Sequence, residues 1–433
     1  MGSLLEISQK LNKEYGSDVF MAGHLIPPRE KFSIGALSAN YALQGGLPEG
    51  ELIGFSGFSQ SGKSLVAAQA ISGWQKKHPN KVCLWVDAEG NLPAQIKWFA
   101  QMTKMKIDEK HFLRYDCSGK CAEEIFRDIL RAEEADDIGL IVLDAIPALV
   151  TREDLENPFD KDNGMRASVA KWLGKFCRLM MLRLAQVGNS MILINHTREI
   201  GKTHQGIPMY GEPCGHAFDF YPGLKIRFAK RMFTKGETLN LAQSKVLSMD
   251  SKQAAEIDGF CCTFSILKSR HGAITRTGAR LIYRYEGHSY QPGIDVLTDL
   301  VDIVTTYQIA KAINSVMWGL VKPGTEEYYK GADGKDLTFR GKPALISYLT
   351  NNPQFTKEYA RAVDEYIASS GTHIDVVGED GYNEIMAVEN AIQLEDDIEE
   401  AEEKVSKRGR KPKKAEEVTV TVDNADEEEA EDE

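Results

Sequence analysis

The 433-residue sequence predicts an α/β protein with a mainly parallel central sheet, and three observations predict it. Between about residues 35 and 290, short apolar runs alternate with helical stretches. The runs at 52–55, 82–86, 140–143 and 191–194 are continuously hydrophobic, as strands buried on both faces must be. Each run ends abruptly in polar residues, and the stretches between carry apolar side chains at helical spacing. Such alternation packs helices on both faces of one sheet.

Taken in order, residues 3–15 read as a short amphipathic helix, with Leu4, Ile7, Leu11 and Tyr15 on one stripe. A helix this short is marginal alone, so the stripe needs its own domain or another chain to pack on. A connector at 23–28 contains Gly and Pro. The run 52–55 leads through a glycine-bearing turn into an apolar helix at 65–74. The clearest helix lies at 166–184, where Val169, Trp172, Leu173, Phe176, Met180 and Leu184 form one stripe. Residues 291–375 read as a smaller, mostly helical domain. Order fades beyond about residue 378, and from Glu395 the low-complexity charged composition predicts disorder. Within it, 407–414 resembles a minor-groove AT-hook, although a solvated basic block is the plainer reading.

Composition narrows the class. At 42% hydrophobic the chain can bury a sizeable core. No apolar run approaches the roughly 18 residues of a membrane span; the longest, 140–150, is broken by Asp144 and Pro147. A secretory h-region is missing, and Glu6 spoils a myristoylation pattern. Seven cysteines are too few for a disulfide scaffold, and Cys117/Cys121 and Cys261/Cys262 lack a second pair at zinc-ribbon spacing. These features predict a soluble, non-membrane protein of a reducing, cytoplasmic compartment. The net charge of -12 is unevenly spread: residues 395–433 hold 17 acidic and 7 basic side chains, leaving 47 against 45 elsewhere. A near-neutral body with clustered Lys and Arg can still bind nucleic acid, and a charged tail can compete for that surface.

The sharpest motif is Gly57-Phe58-Ser59-Gln60-Ser61-Gly62-Lys63-Ser64, a complete G-x-x-x-x-G-K-S. Its backbone N–H groups cradle phosphates, Lys63 reaches the β- and γ-phosphates, and Ser64 binds Mg²⁺. A chance Gly/Ser turn would not sit between a buried strand and an apolar helix, as this one does. The other runs end in Asp87-Ala88-Glu89, in Asp144 and in Asn195-His196, at the sheet edge where ligands of open parallel sheets bind. Asp144 suits the orientation of Mg²⁺, Glu89 the activation of water, and His196 the sensing of a γ-phosphate. Alone, each would read as a helix cap or a solvated loop residue; together around a phosphate loop they read as an ATPase site. Two polar segments, 151–165 and 197–216, follow as uninterrupted loops. Arg166, Arg198, Lys202 and His204 make them mildly basic, and a functional loop and a solvated one fit equally well.

With Gly35-Ala36-Leu37-Ser38, Gly45-Gly46-Leu47-Pro48-Glu49-Gly50, the 82–89 segment, Asn195-His196-Thr197 and Leu267-Lys268-Ser269-Arg270, residues 5–375 resemble the RecA family of recombination ATPases. Within it they look most like the UvsX-type recombinases of tailed phages. The resemblance implies a RecA-like core at 35–290 using ATP and Mg²⁺, preceded at 1–34 by an oligomerisation helix and linker. It implies a duplex-gathering domain at 291–375, followed by the charged tail, 376–433. Glu89 would activate water, and the two polar segments would line DNA. Lys268 and Arg270 would complete the neighbouring subunit's ATP site as arginine fingers do. Trp98 is a candidate for stacking on adenine. His196 stands where bacterial members carry Gln, as in the phage type, and the 197–216 segment departs from the bacterial pattern. The implied activity is homologous pairing and strand exchange in DNA repair, by helical filaments on single-stranded DNA. Mediator and single-strand-binding proteins are candidate partners, and a phage-encoded chain would work in the host cytoplasm. The alternative is a ring-forming helicase or other DNA-remodelling ATPase on the same core. That reading requires a separate N-terminal assembly domain, and only about 34 residues precede the core. A nonenzymatic filament mediator would be expected to lack Glu89 or Lys63, and both are present.

Overall fold

The four apolar runs form the parallel centre of a nine-stranded sheet. In the computed structural model, residues 4–16, 20–21, 29–103, 110–156, 165–202, 208–234, 257–275, 277–285 and 292–370 are described. The sheet strands are β1 (Leu52–Gly57), β2 (Val82–Asp87), β3 (Phe112–Asp116), β4 (Ile138–Asp144), β5 (Ser190–Ile194), β6 (Leu224–Thr234), β7 (Ile257–Ser269), β8 (Gly278–Arg284) and β9 (Gly293–Ile294). Their order is β9-β8-β7-β6-β1-β5-β4-β2-β3. From β6 to β3 neighbours are parallel, and β7, β8 and β9 extend the sheet in antiparallel fashion.

The period of two along each strand divides two hydrophobic layers. Ile53, Phe55, Cys83, Trp85, Leu140 and Val142 face one layer with Leu65, Ile71, Trp74, Phe99 and Met102. These come from helices α2 (Lys63–Lys77) and α3 (Leu92–Thr103), numbered after α1 (Leu4–Tyr15). Leu52, Leu84, Val86, Ile141, Leu143 and Leu193 face the opposite layer with Ile125, Phe126, Phe176, Met180 and Leu184. Helices α4 (Ala122–Ala132) and α5 (Met165–Val187) supply that face. Covering both faces explains why these strands carry no polar alternation. The sequence reading missed edge strand β3, whose exposed and half-buried FLRYD pattern lacks a continuous apolar run.

The described part of 291–375 is mostly helical, as expected, with a small sheet added. Helices α6 (Val296–Thr306), α7 (Gly341–Asn351) and α8 (Pro353–Ser370) accompany a three-stranded antiparallel sheet of Lys311–Ala312, Met317–Gly319 and Thr338–Arg340. Strands of two or three residues are too short to show a period. One expectation is amended: the segments at 151–165 and 197–216 are not uninterrupted loops. The first opens with helix Arg152–Glu156; the second carries the hairpin Arg198–Lys202 with Pro208–Gly211 and reaches the short helix Ala217–Phe220 beyond it. A polar hairpin on a surface offers no hydrophobic alternation to read. The N-terminal helix forms as its stripe suggested, but none of its residues is buried: Leu4 is 74% and Leu5 70% exposed. Its own core therefore does not take the stripe.

The chain divides into two units, Met1–Val388 and Glu389–Glu433. The connector at 23–28 and the tail with its 407–414 block lie outside the described residues. No described helix is long and apolar enough to cross a membrane.

Candidate nucleotide-binding site

Parallel register sets the site. Phe55 of β1 stands opposite Ile194 of β5, and Asp87 of β2 opposite Asp144 of β4, so these strand ends reach one edge of the sheet. The phosphate loop turns there between β1 and α2. Its geometry requires glycine: Gly62, the residue before the helix, has φ +95°, and a Cβ on it would collide with Cys262 Sγ of β7. Gly57, at φ +142°, would collide with the Phe228 carbonyl. These contacts press the loop backbone against the sheet and leave its N–H groups at the opening of α2, where the helix dipole favours an anion.

A cleft of about 450 Å³ opens over this loop. Ser59, Gln60, Ser61, Gly62, Lys63 and Ser64 line its floor, with Glu89 and His196 beside them. Lys63 is buried, its Nζ donating to the carbonyls of Gly57 at 2.9 Å and Phe58 at 2.7 Å. Burial pushes its ammonium down to about 8, against the attraction of Asp144, Glu89 and Glu212. Asp144 is buried at the end of β4, and burial raises its carboxyl to about 6, although a hydrogen bond with Ser64 opposes the rise. Its Oδ1 is buried with no hydrogen-bond partner. An orphaned carboxylate oxygen beside a hydroxyl, next to a phosphate cradle, suits a hard divalent cation. Ser64 and Asp144 therefore fit Mg²⁺, and the loop fits a nucleotide's phosphates.

Glu89 lies 3.2 Å from His196 Nε2 and accepts from Asn91 Nδ2 at 3.1 Å. The hydrogen bond to His196 leads the forces that hold its carboxyl below the usual range, with Asn91 and Lys63 adding to it. Asp87 does different work from Glu89. Ion-paired with Arg114 at 2.8 Å, it accepts the N–H of Asn91 at 3.0 Å and so fixes the start of α3. Asn195 is fully buried; its Oδ1 accepts the His196 N–H at 2.8 Å and its Nδ2 donates to the Pro213 carbonyl at 2.9 Å. It holds the strand end in place and does not line the cleft.

Sequence reasoning missed the far wall. Gln95, Trp98, Phe99, Lys230 and Phe260 complete the cleft, with only Trp98 singled out beforehand. Trp98 stacks on Phe260 at 6.1 Å, and Lys230 Nζ lies 4.2 Å from the Phe260 ring centre. An aromatic wall beside a phosphate cradle can take a heterocycle. Reading it in advance would have required knowing that β7 lies beside β6. Also missed was the link to the hairpin: Thr197 N donates to the Gly57 carbonyl at 3.0 Å, and Phe58 meets Tyr210 edge to face at 5.2 Å.

Other expected residues lie elsewhere. Lys268 and Arg270 do not join this cleft. Lys268 is in register with Lys225, and Lys225 with Gly54, which places them toward the opposite end of the sheet from the phosphate loop. There Lys268 donates to the carbonyls of Asp219 at 2.9 Å and Phe220 at 2.7 Å, and Arg270 to that of Phe220 at 3.3 Å. Arg198 stands exposed at the start of the hairpin. Arg166 opens α5 and Lys202 ends the first hairpin strand, with side chains outside the described set; His204 lies wholly outside it.

This geometry, a phosphate loop and a strand-end carboxylate on a mainly parallel sheet, defines a nucleotide-binding α/β core. The family model "RecA N-terminal domain" matches residues 3–262, and the chain belongs to the RecA family. Protein RecA of Acinetobacter baumannii is 26% identical over 388 residues, covering 86% of this chain and 93% of that protein. Protein RecA of Synechocystis sp. is 29% identical over 285 residues, covering 61% and 75%. A solved structure titled "Crystal structure of the RadB recombinase" is similar over 60% of this chain and 97% of that one, with a TM-score of 0.40 and 16% identity. Family membership supports a DNA-acting, ATP-hydrolysing recombinase role.

Proposed function

We propose that this chain is a DNA-dependent ATPase that polymerises on single-stranded DNA as a helical filament and exchanges strands with homologous duplex. Within the family it takes the UvsX-type form that its sequence resembles. The observation that carries this reading is the convergence of Lys63, Ser64, Glu89 and His196 on one cleft, with Asp144 buried against Ser64 and Thr197 tying the site to a polar hairpin.

Lys63 and the loop N–H groups hold the ATP phosphates, and Ser64 and Asp144 hold Mg²⁺, which when bound neutralises phosphate charge. Glu89, kept ionised by His196 and Asn91, accepts the proton of the attacking water. His196 contacts the γ-phosphate, and the next residue, Thr197, passes its position to the hairpin. Lys268 and Arg270 serve the neighbouring subunit's nucleotide, which accounts for their place outside their own cleft. Arg166, Arg198, Lys202 and His204 contact the DNA backbone, while base pairing reads sequence. The exposed stripe of α1 packs on the neighbouring protomer, and residues 291–375 gather duplex DNA. Mediator and single-strand-binding proteins assist in the host cytoplasm.

ATP hydrolysis with and without single-stranded DNA, combined with negative-stain microscopy, tests the reading. DNA-stimulated turnover and open helical filaments are expected. Closed rings would favour a helicase instead.

A further inference from the structure

The segment carrying Lys268 and Arg270 is braced by a buried carboxylate–imidazole contact that the nucleotide cleft does not use. Glu51 immediately precedes β1 and His271 follows β7. Their side chains, 10% and 12% exposed, meet Oε2 to Nε2. The Glu51 carboxyl lies over Gly223, where a Cβ would collide with it. The Gly223 carbonyl accepts the Arg270 N–H at 2.9 Å. On the other side, the His271 N–H donates to Ser269 Oγ at 3.1 Å. Lys31 Nζ donates to the His271 carbonyl at 3.3 Å while also reaching those of Leu43 at 3.0 Å and Gln44 at 2.9 Å. The main chain is thus pinned on both sides of Arg270.

We propose that Glu51 and His271 are positioning residues: their buried pair fixes the turn after β7 so that Lys268 and Arg270 are presented together to the neighbouring subunit's nucleotide. This inference rests on the trans-acting role proposed above. The physical reason is the cost of leaving a buried polar group without a partner. Neither side chain can leave the other without stranding a desolvated group, so the pair holds one arrangement. Long flexible cations gain most from such a brace, because small misplacements of a reacting group are costly.

The test uses the full chain and measures DNA-stimulated hydrolysis at varied ATP for Glu51→Gln, His271→Gln, Arg270→Ala and the double variants. Binding of a fluorescent ATP analogue to dispersed subunits and thermal melting are followed in parallel. The expected result is a loss of kcat approaching roughly 100-fold, with KM and analogue affinity held. Adding Glu51→Gln to Arg270→Ala should cost nothing further, since both act through one element. Wild-type kcat in both glutamine variants while Arg270→Ala is impaired, or additive losses in the double variant, would overturn the inference alone. Wild-type kcat in Arg270→Ala would remove the trans reading and the inference with it. If a glutamine variant does not fold, Glu51→Asp decides, because it keeps the charge but retracts the carboxylate. Lower kcat at unchanged analogue affinity supports the brace, and wild-type kcat refutes it.

Discussion

Glu89 lines the cleft and Asp144 is buried behind it at the end of β4, and their surroundings push the two carboxylates apart. His196 and Asn91 donate to Glu89 and keep it ionised, whereas burial lifts Asp144 to about 6. The ionised, half-exposed group suits proton acceptance; the buried one, with an oxygen free of hydrogen bonds, suits a cation. Glu89→Gln should therefore keep nucleotide affinity while reducing hydrolysis by roughly 10²–10⁴-fold, because an amide can orient water but cannot take its proton. Wild-type turnover in that variant would end the assignment of Glu89 as base. Both carboxylates were legible in the sequence as polar punctuation after apolar runs. Their opposite electrostatics were not, since these depend on Asn91, His196 and Ser64 arriving from three separate chain positions.

At the scale of elements, α6 joins the C-terminal region to the core through three carboxylates with unequal partners. Asp295 pairs with Arg284 at 2.9 Å, and Asp302 with Arg280 and Lys342, each at 2.7 Å. Asp299, fully buried, is met instead by the Ser38 N–H at 3.1 Å and the Ser38 hydroxyl. Burial lifts its carboxyl to about 6 from an ordinary 3.8, Ser38 pulls it down, and the charge of Asp302 adds to the rise. The folded chain therefore retains this proton where the unfolded chain has lost it. The resulting stabilisation is full below pH 3.8 and is lost as pH rises through about 6. Asp299→Asn should consequently melt at a higher temperature than the wild type at pH 7.5, with the gap closing towards pH 5. A gap independent of pH would show that Asp299 does not titrate in this range. The helical character of 291–375 was legible, but the sequence does not show which carboxylate of α6 meets a cation.

At the scale of the molecule, the nucleotide cleft and the Lys268/Arg270 segment lie toward opposite ends of the sheet. A subunit using both needs two neighbours. Mixing Arg270→Ala with Lys63→Ala protein should restore part of the DNA-stimulated hydrolysis, because some interfaces then pair an intact phosphate loop with an intact cation. Absence of rescue at every ratio, with filaments confirmed by microscopy, would confine Arg270 to a structural role.

The sequence alone determined the phosphate-loop motif, the polar residues at the strand ends and the central parallel layer. Those properties are local: a phosphate loop is one contiguous motif, and a strand buried on both faces announces itself by composition. Tertiary structure decided the rest. The antiparallel extension from β7 to β9 brings Cys262 beneath Gly62 and Phe260 against Trp98, where Lys230 of β6 completes the cleft wall. The same extension carries Lys268 and Arg270 away from that cleft. Strand order and register bring together residues as far apart in sequence as Gly62 and Cys262 or Trp98 and Phe260, and no local periodicity encodes which strand neighbours which.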